Sequence, residues 1–146
     1  MKVYVASSWK STVRHSHVVS RLRREGFDVY DFMMDGRAFP WRDANPAYED
    51  LNKRGDVVEF IGAIQTPIAK TGFQTDMDAL LGADIVVLVL PCGRSAHLAL
   101  GIAIGKGKPT FVLLDEPLSD WDLMYLATDG MTPSVDKLVE AMHQRR

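Results

Sequence analysis

Apolar positions recur along this chain with two periods, and the alternation between them outlines the fold. Residues 3–6 form a short apolar run that predicts a strand and ends in the polar turn Ser7-Ser8-Trp9-Lys10. Over residues 12–24, Val13, Val18, Val19 and Leu22 fall at helical spacing, and Gly26 supplies a stop. Residues 27–32 read as a second strand, so the opening is a strand-helix-strand unit with short turns, the pattern of a parallel crossover. The period is then lost over residues 33–58, where Asp, Asn, Gly, Pro and aromatic residues mix. A stretch of that length is read as a functional loop or a lid with a short helix.

Periodicity returns over residues 67–81, a helix with Ile68, Phe73, Met77, Leu80 and Leu81 on or near one face. Residues 84–90 read as a strand that is continuously apolar from Ile85 on, as expected of a central strand covered on both faces. A helix over 96–105, a strand over 110–114, a short helix over 121–127 and a closing helix over 134–144 complete the series. The expected architecture is α/β: a single-domain, Rossmann-like open parallel sheet with helices on both faces, spanning residues 1–146, with 33–58 as a variable lid. Ligands of such sheets bind outside the carboxyl ends of the strands, where the polar turns of this sequence fall.

Composition narrows the partners more than the chemistry. With 146 residues, 47% hydrophobic and 25% charged, the chain has the make-up of one soluble globular domain. Seventeen Lys and Arg against nineteen Asp and Glu give a formal charge of −2, which is no footprint for nucleic acid. The single Cys92 allows no internal disulfide and fits a reducing, cytoplasmic setting. No apolar run approaches the ~20 residues of a membrane span, and the first residues read as a strand entering a polar turn rather than a leader. With no second cysteine and no histidine cluster at ligand spacing, neither a metal nor a cofactor is expected.

The turn Gly93-Arg94-Ser95 follows the central strand and precedes a helix. Ser95 at this place is a candidate N-cap. The same turn could hold an anion through backbone amides, the Arg94 guanidinium and the Ser95 hydroxyl. A capped helix with an exposed arginine is the competing reading. Ser95 and Ala99, four residues apart, share one helix face. Arg21, Arg23 and Arg24 read as a solvated face of the first helix, Gly105-Lys-Gly-Lys-Pro109 as a tight helix-to-strand turn, and Cys92 as a small buried hydrophobe rather than a nucleophile.

Taken together, the opening strand with Tyr4, the segment Thr75-Asp-Met-Asp-Ala-Leu-Leu-Gly-Ala-Asp84, the strand-turn-helix at 85–105 and Gly107-Lys-Pro-Thr-Phe-Val-Leu-Leu114 resemble the nucleoside 2-deoxyribosyltransferase family and its nucleotide N-glycosidase relatives. The resemblance implies cleavage or transfer of the N-glycosidic bond of a (deoxy)nucleoside or its 5′-monophosphate. In that family a glutamate in a Glu-x-Gly string attacks the sugar, and a glycosyl-enzyme intermediate is resolved by water or a second base. Here the string reads Ala99-Leu100-Gly101, so the nucleophile position holds an alanine.

By the same resemblance Asp76 matches the aspartate that serves as acid and base on the leaving nucleobase, with a solvated helix carboxylate as the alternative, and Asp84 opens the central strand as a structural residue. Tyr4 matches the tyrosine that orients the nucleophilic carboxylate, with core packing as the alternative. Ser7, Ser8 and Trp9 lie over the sugar end, where the nucleotide-cleaving branch holds the 5′-phosphate. The string Ser95-Ala-His97-Leu-Ala-Leu-Gly101 is closer to the monophosphate-hydrolysing branch and makes His97 a binding candidate, with a satisfied polar group near a helix start as the competing reading. Asp122-Leu-Met124 resembles the Asn-Leu-Met string whose polar residue reaches a neighbouring subunit's site, which implies a homo-oligomer, at least a dimer, with Asp122 acting in trans; a surface acidic residue is the competing reading.

Alanine supplies neither a nucleophile nor a charge for an oxocarbenium-like transition state. Two origins fit: an enzyme whose glutamate was replaced, or a naturally non-catalytic nucleotide-binding protein acting as sensor, sponge or subunit. A NAD-glycohydrolase-like activity is a third reading. It is disfavoured because no Gly-x-Gly-x-x-Gly follows the first strand.

Overall fold

The computed structural model describes residues 1–34, 55–115 and 122–145. Most of the expected lid therefore lies outside the described residues. The chain divides into two compact units, one of residues 1–31 with 80–146 and one of residues 32–79.

The first unit is built on a five-stranded parallel sheet: β1 (Lys2–Ala6), β2 (Asp28–Tyr30), β3 (Ile85–Val89), β4 (Thr110–Leu113) and β5 (Gly130–Thr132), in the order β2-β1-β3-β4-β5. The chain moves outward from β1 to β2 and then returns to the other side of β1 for β3. The topological switch point thus lies between β1 and β3, and the ligand crevice of such a sheet opens at their carboxyl ends. Ser7 and the Pro91–Arg94 stretch are the segments that leave those two strands.

Side chains alternate across the sheet. Val3, Val5, Val29, Ile85, Val87, Val89, Phe111 and Leu113 form one buried cluster. Helix α1 (Thr12–Arg24) adds Val18, Val19 and Leu22 to that cluster, and the closing helix α5 (Val135–His143) adds Leu138, Val139 and Met142. On the other face, Tyr4, Ala6, Val86, Leu88 and Val112 are buried beside helix α4 (Arg94–Gly105), whose own buried residues are Ala96, Leu100 and Ala103. This two-sided coverage explains why β3 reads as an unbroken apolar run. The fold class is the one the sequence predicts.

Several local readings change. The N-cap of α4 is Gly93, with no side-chain cap bond, and Ser95 is an exposed residue of the first turn. The arginines of α1 do lie on its solvent side, Arg23 and Arg24 exposed and Arg21 half-exposed, and two of them are also paired there. Arg21 pairs with Glu25 and with Asp136 at 3.0 Å, and Arg23 donates to the Val29 carbonyl at 2.8 Å. The turn after α4 closes as expected, with Gly107 at φ +69°, where a side chain would be strained.

The Asp84 carboxylate accepts from the Lys2 amide at 2.7 Å and ties the start of β3 to β1, a structural role. Two short elements have no counterpart in the sequence reading: helix α2 (Val57–Ile64) and β5. The short helix expected over 121–127 is a 3-10 helix, Leu123–Ala127.

The second unit contains α2 and most of helix α3 (Pro67–Gly82). Asp56 caps α2 by accepting from the Glu59 amide at 3.0 Å. The apolar face expected on α3 is only partly realised, because Phe73 is 63% and Leu81 42% exposed while Leu80 is buried.

One sheet residue carries an unmet bond. Thr110 at the start of β4 donates its amide to Asp129 at 2.9 Å, yet its buried hydroxyl has no hydrogen-bond partner among the described residues. Thr110→Val keeps the shape and removes the orphaned hydroxyl, so it is expected to raise stability by roughly 1 kcal/mol. The check is a higher urea midpoint at unchanged slope; a lower midpoint would show that the hydroxyl has a partner.

Candidate functional site

The carboxyl ends of β1 and β3 place two turns side by side in the first unit. After β1 come Ser7, Ser8 and Trp9. Ser8 folds the turn locally, its Oγ accepting from the Lys10 amide at 3.2 Å and its carbonyl from the Ser11 amide at 3.0 Å. After β3, Gly93, Arg94 and Ser95 are all exposed and open α4. That leaves the guanidinium, the serine hydroxyl and the unpaired first-turn amides on the surface, where they can take an anion. One turn further on, Ala99 is half-buried.

Tyr4 lies on the sheet face that α4 covers, and it is buried. Its ring stacks on Tyr30 of the neighbouring strand, centroids 5.6 Å apart and planes within 16°. The core packing that competed with the carboxylate-orienting role is therefore realised, and the stack fixes the ring wherever its hydroxyl is used.

His97 is committed within its own unit. Nδ1 bonds to the Gly93 carbonyl at 2.8 Å and Nε2 to the Tyr125 hydroxyl at 2.8 Å, with the two rings stacked at 5.8 Å. A carbonyl can only accept, so Nδ1 carries the hydrogen, and in the neutral ring Nε2 accepts the tyrosine proton. His97 thus clamps the start of α4 to the 3-10 helix rather than offering a nitrogen to a ligand. Cys92 lies 3.6 Å from the same ring, and burial pushes its thiol up to about 12, which keeps it protonated and unreactive at neutral pH.

Asp122 is exposed and caps the 3-10 helix, accepting from the Met124 amide at 2.7 Å. Around it, Leu98, Leu123, Met124 and Leu126 stand out at 68%, 80%, 73% and 69% exposure. Asp76 belongs to the second unit, on α3, half-buried; Asp78 is exposed and accepts from Gln74 Nε2 at 2.7 Å.

Four residues that the sequence reading missed shape the same edge. Arg14 of α1 donates through Nε to the Leu90 carbonyl and pairs with Asp115, joining the ends of β3 and β4. His15 of α1 is wholly buried. Its Nδ1 lies 2.7 Å from Ser7 Oγ and its Nε2 2.9 Å from Asp31 Oδ1, and Asp31 is the residue that follows β2. A signal was present, because 15, 18, 19 and 22 form an unbroken i, i+3, i+4, i+7 stripe, with a histidine where an apolar residue is expected.

Among the described residues no group of His, Cys, Asp and Glu could hold a metal ion. No described helix is long and apolar enough to cross a membrane. No protein-family model matches the chain, and no curated protein matches it. Solved structures do share its fold. A 2-deoxyribosyltransferase from the psychrotolerant bacterium Bacillus psychrosaccharolyticus matches with TM-score 0.64 and 17% identity, over 95% of this chain and 90% of that one. A conserved protein from Enterococcus faecalis V583 matches with TM-score 0.65 and 15% identity, over 100% and 99%. The Clostridium botulinum CMP N-glycosidase BcmB matches with TM-score 0.56 and 13% identity, over the full length of both. At these identities the likeness is one of fold.

Proposed function

We propose that this chain holds a (deoxy)nucleoside or nucleoside 5′-monophosphate at the carboxyl edge between β1 and β3, in a site built for N-glycosidic bond cleavage or transfer, with Ala99 where the nucleophile would stand. One observation carries the reading: half-buried Ala99 lies one turn into the helix that leaves β3 at the switch point. The nucleotide-cleaving and deoxyribosyl-transferring structures that share the fold agree with it.

In this reading the exposed Gly93-Arg94-Ser95 turn neutralises an anionic group, with the α4 amides behind it. Ser7, Ser8 and Trp9 line the β1 side. Asp76 protonates the departing base, and Tyr4, held by its stack on Tyr30, orients the group at position 99. A carboxylate there would attack C1′ and form a glycosyl ester as the base leaves with the proton of Asp76; water or a second base then displaces the carboxylate. No cofactor enters this scheme, and the setting is cytoplasmic. Residues 1–146 act as one domain in this reading.

The methyl group of Ala99 itself favours a second reading, a non-catalytic nucleotide-binding protein. Base release from a panel of nucleosides and 5′-monophosphates, followed by chromatography for this chain and for Ala99→Glu, separates the two. Ligand-induced shifts in Tm test binding directly, and no shift with any member of the panel would sink both.

The exposed Leu98, Leu123, Met124 and Leu126 fit a contact with a second copy, which would bring Asp122 to the partner's ligand. Placing a charge in such a face disfavours association. Leu126→Asp is expected to convert a dimer to a monomer in sedimentation equilibrium, halving the apparent mass. An unchanged mass would remove this face as the interface.

A further inference from the structure

The buried chain Ser7–His15–Asp31 spans the carboxyl ends of the adjacent strands β1 and β2, and the scheme above gives His15 and Asp31 no task. We infer that His15 and Asp31 are positioning residues that turn the Ser7 hydroxyl proton inward, so that Ser7 meets the ligand as a hydrogen-bond acceptor for a sugar hydroxyl and not as a donor to phosphate. This rests on the nucleoside-binding reading and assigns one contact within it.

The chemistry follows from donor and acceptor counts. The Asp31 carboxylate can only accept, so the 2.9 Å contact places the imidazole hydrogen on Nε2. In the neutral ring, Nδ1 then carries a lone pair and can only accept. The 2.7 Å contact with Ser7 Oγ must therefore use the serine's own hydrogen. His15 has no exposed surface, and Ser7 is 9% and Asp31 5% exposed, so water does not compete for these bonds. A hydroxyl has one hydrogen and two lone pairs. With the hydrogen committed to His15, what remains on Ser7 repels an anion and accepts from a hydroxyl or an N–H.

The order carboxylate–imidazole–hydroxyl is that of serine hydrolases, but with the two ring nitrogens exchanged. Placement argues for orientation: Ser7 leaves β1 at the switch point, and the relay lies behind it between α1 and the strand ends. Anion binding is then left to the Gly93-Arg94-Ser95 turn and to the backbone of the β1 turn. That moves Ser7 from the phosphate, where the family resemblance would put it, to the sugar.

The primary test needs no variant of the relay. Imidazole ¹⁵N spectra of the intact protein distinguish the tautomers, and the His15 signals are those that persist through His17→Gln, His97→Gln and His143→Gln. A protonated Nε2 with a bare Nδ1 is expected. A hydrogen on Nδ1, in either the neutral or the doubly protonated ring, overturns the inference, because the serine hydrogen would then be free to turn outward.

Asp31→Asn supplies a second reading. Its amide can donate to Nε2 and drive the hydrogen to Nδ1, which releases the serine hydrogen. Calorimetry with inorganic phosphate and with a panel of ribonucleosides then reads the polarity. Ser7→Ala is expected to weaken the nucleosides about tenfold and leave phosphate unchanged. Asp31→Asn should weaken nucleosides similarly and bind phosphate more tightly. Phosphate lost in Ser7→Ala, with nucleosides unaffected, would overturn the assignment. If no nucleoside binds the parent chain, the nucleoside reading fails, while the tautomer still decides the polarity of Ser7.

Discussion

Ala99→Glu is expected to release free base from its preferred nucleoside or nucleotide at least about a thousandfold faster than the present chain, a difference of roughly 4 kcal/mol in the barrier. The size follows from what a carboxylate at this place would supply. A nucleophile held beside C1′ replaces a collision with bulk water by a step within the complex, and its charge steadies the oxocarbenium character of the transition state. Alanine offers neither.

The position can take the change. Ala99 is half-buried rather than sealed in the core, and its buried neighbours on α4 are Ala96, Leu100 and Ala103, which hold the helix on the sheet without it. The larger side chain is therefore expected to cost less than the 1–3 kcal/mol typical of overpacking a closed core. The measurement is chromatographic detection of base over the panel, with this chain beside the variant. Turnover by the variant alone assigns position 99 as the nucleophile. If both stay inert while nucleosides raise Tm, the site binds without cleaving.

The same two turns show how far the sequence could be read. The order of most strands and helices was legible because those elements declare themselves by period. β3 is apolar throughout since both faces are covered, and α1 and α5 show stripes because each packs on one face only. Position 99 was singled out through a resemblance in the string around it, and not through any property of an alanine.

What the sequence concealed has physical causes too. His15 takes a stripe position, but a pattern built on apolar residues passes over it. Its suitability for the core exists only because Ser7 and Asp31, eight and sixteen residues away, meet its two nitrogens. β5 is three residues long and begins at Gly130, whose missing side chain suits the Phe111 ring, since a Cβ there would come within 3.1 Å of it. α2 shows no solvated face in its sequence and buries none of its residues, so its pattern identifies neither a core face nor a partner. The commitment of His97 to Tyr125, 28 residues away, likewise turns a candidate ligand into a clamp that no local string reveals.

Helix α1 gives the sharpest stability test, because the sequence assigns Val13 and Leu22 to one stripe while the structure separates them. Val13 is 84% exposed and Leu22 is fully buried within the cluster formed by α1, α5 and the sheet. Leu22→Ala is expected to lower unfolding free energy by about 3–5 kcal/mol, from lost transfer energy and the cavity left among packed neighbours. Val13→Ala should change it by less than about 0.5 kcal/mol, because nothing is buried there and alanine is the better helix former.

The contrast also protects the reading of His15. If Val13 rather than His15 were the true member of the stripe, the helix would be rotated about its axis, and the 2.7 Å and 2.9 Å contacts to Ser7 and Asp31 could not both form. Urea unfolding of the two variants, compared at equal slope, decides it. A loss below about 1 kcal/mol for Leu22→Ala, or a large loss for Val13→Ala, would mean that α1 faces the sheet by another side and that the relay behind Ser7 is not there.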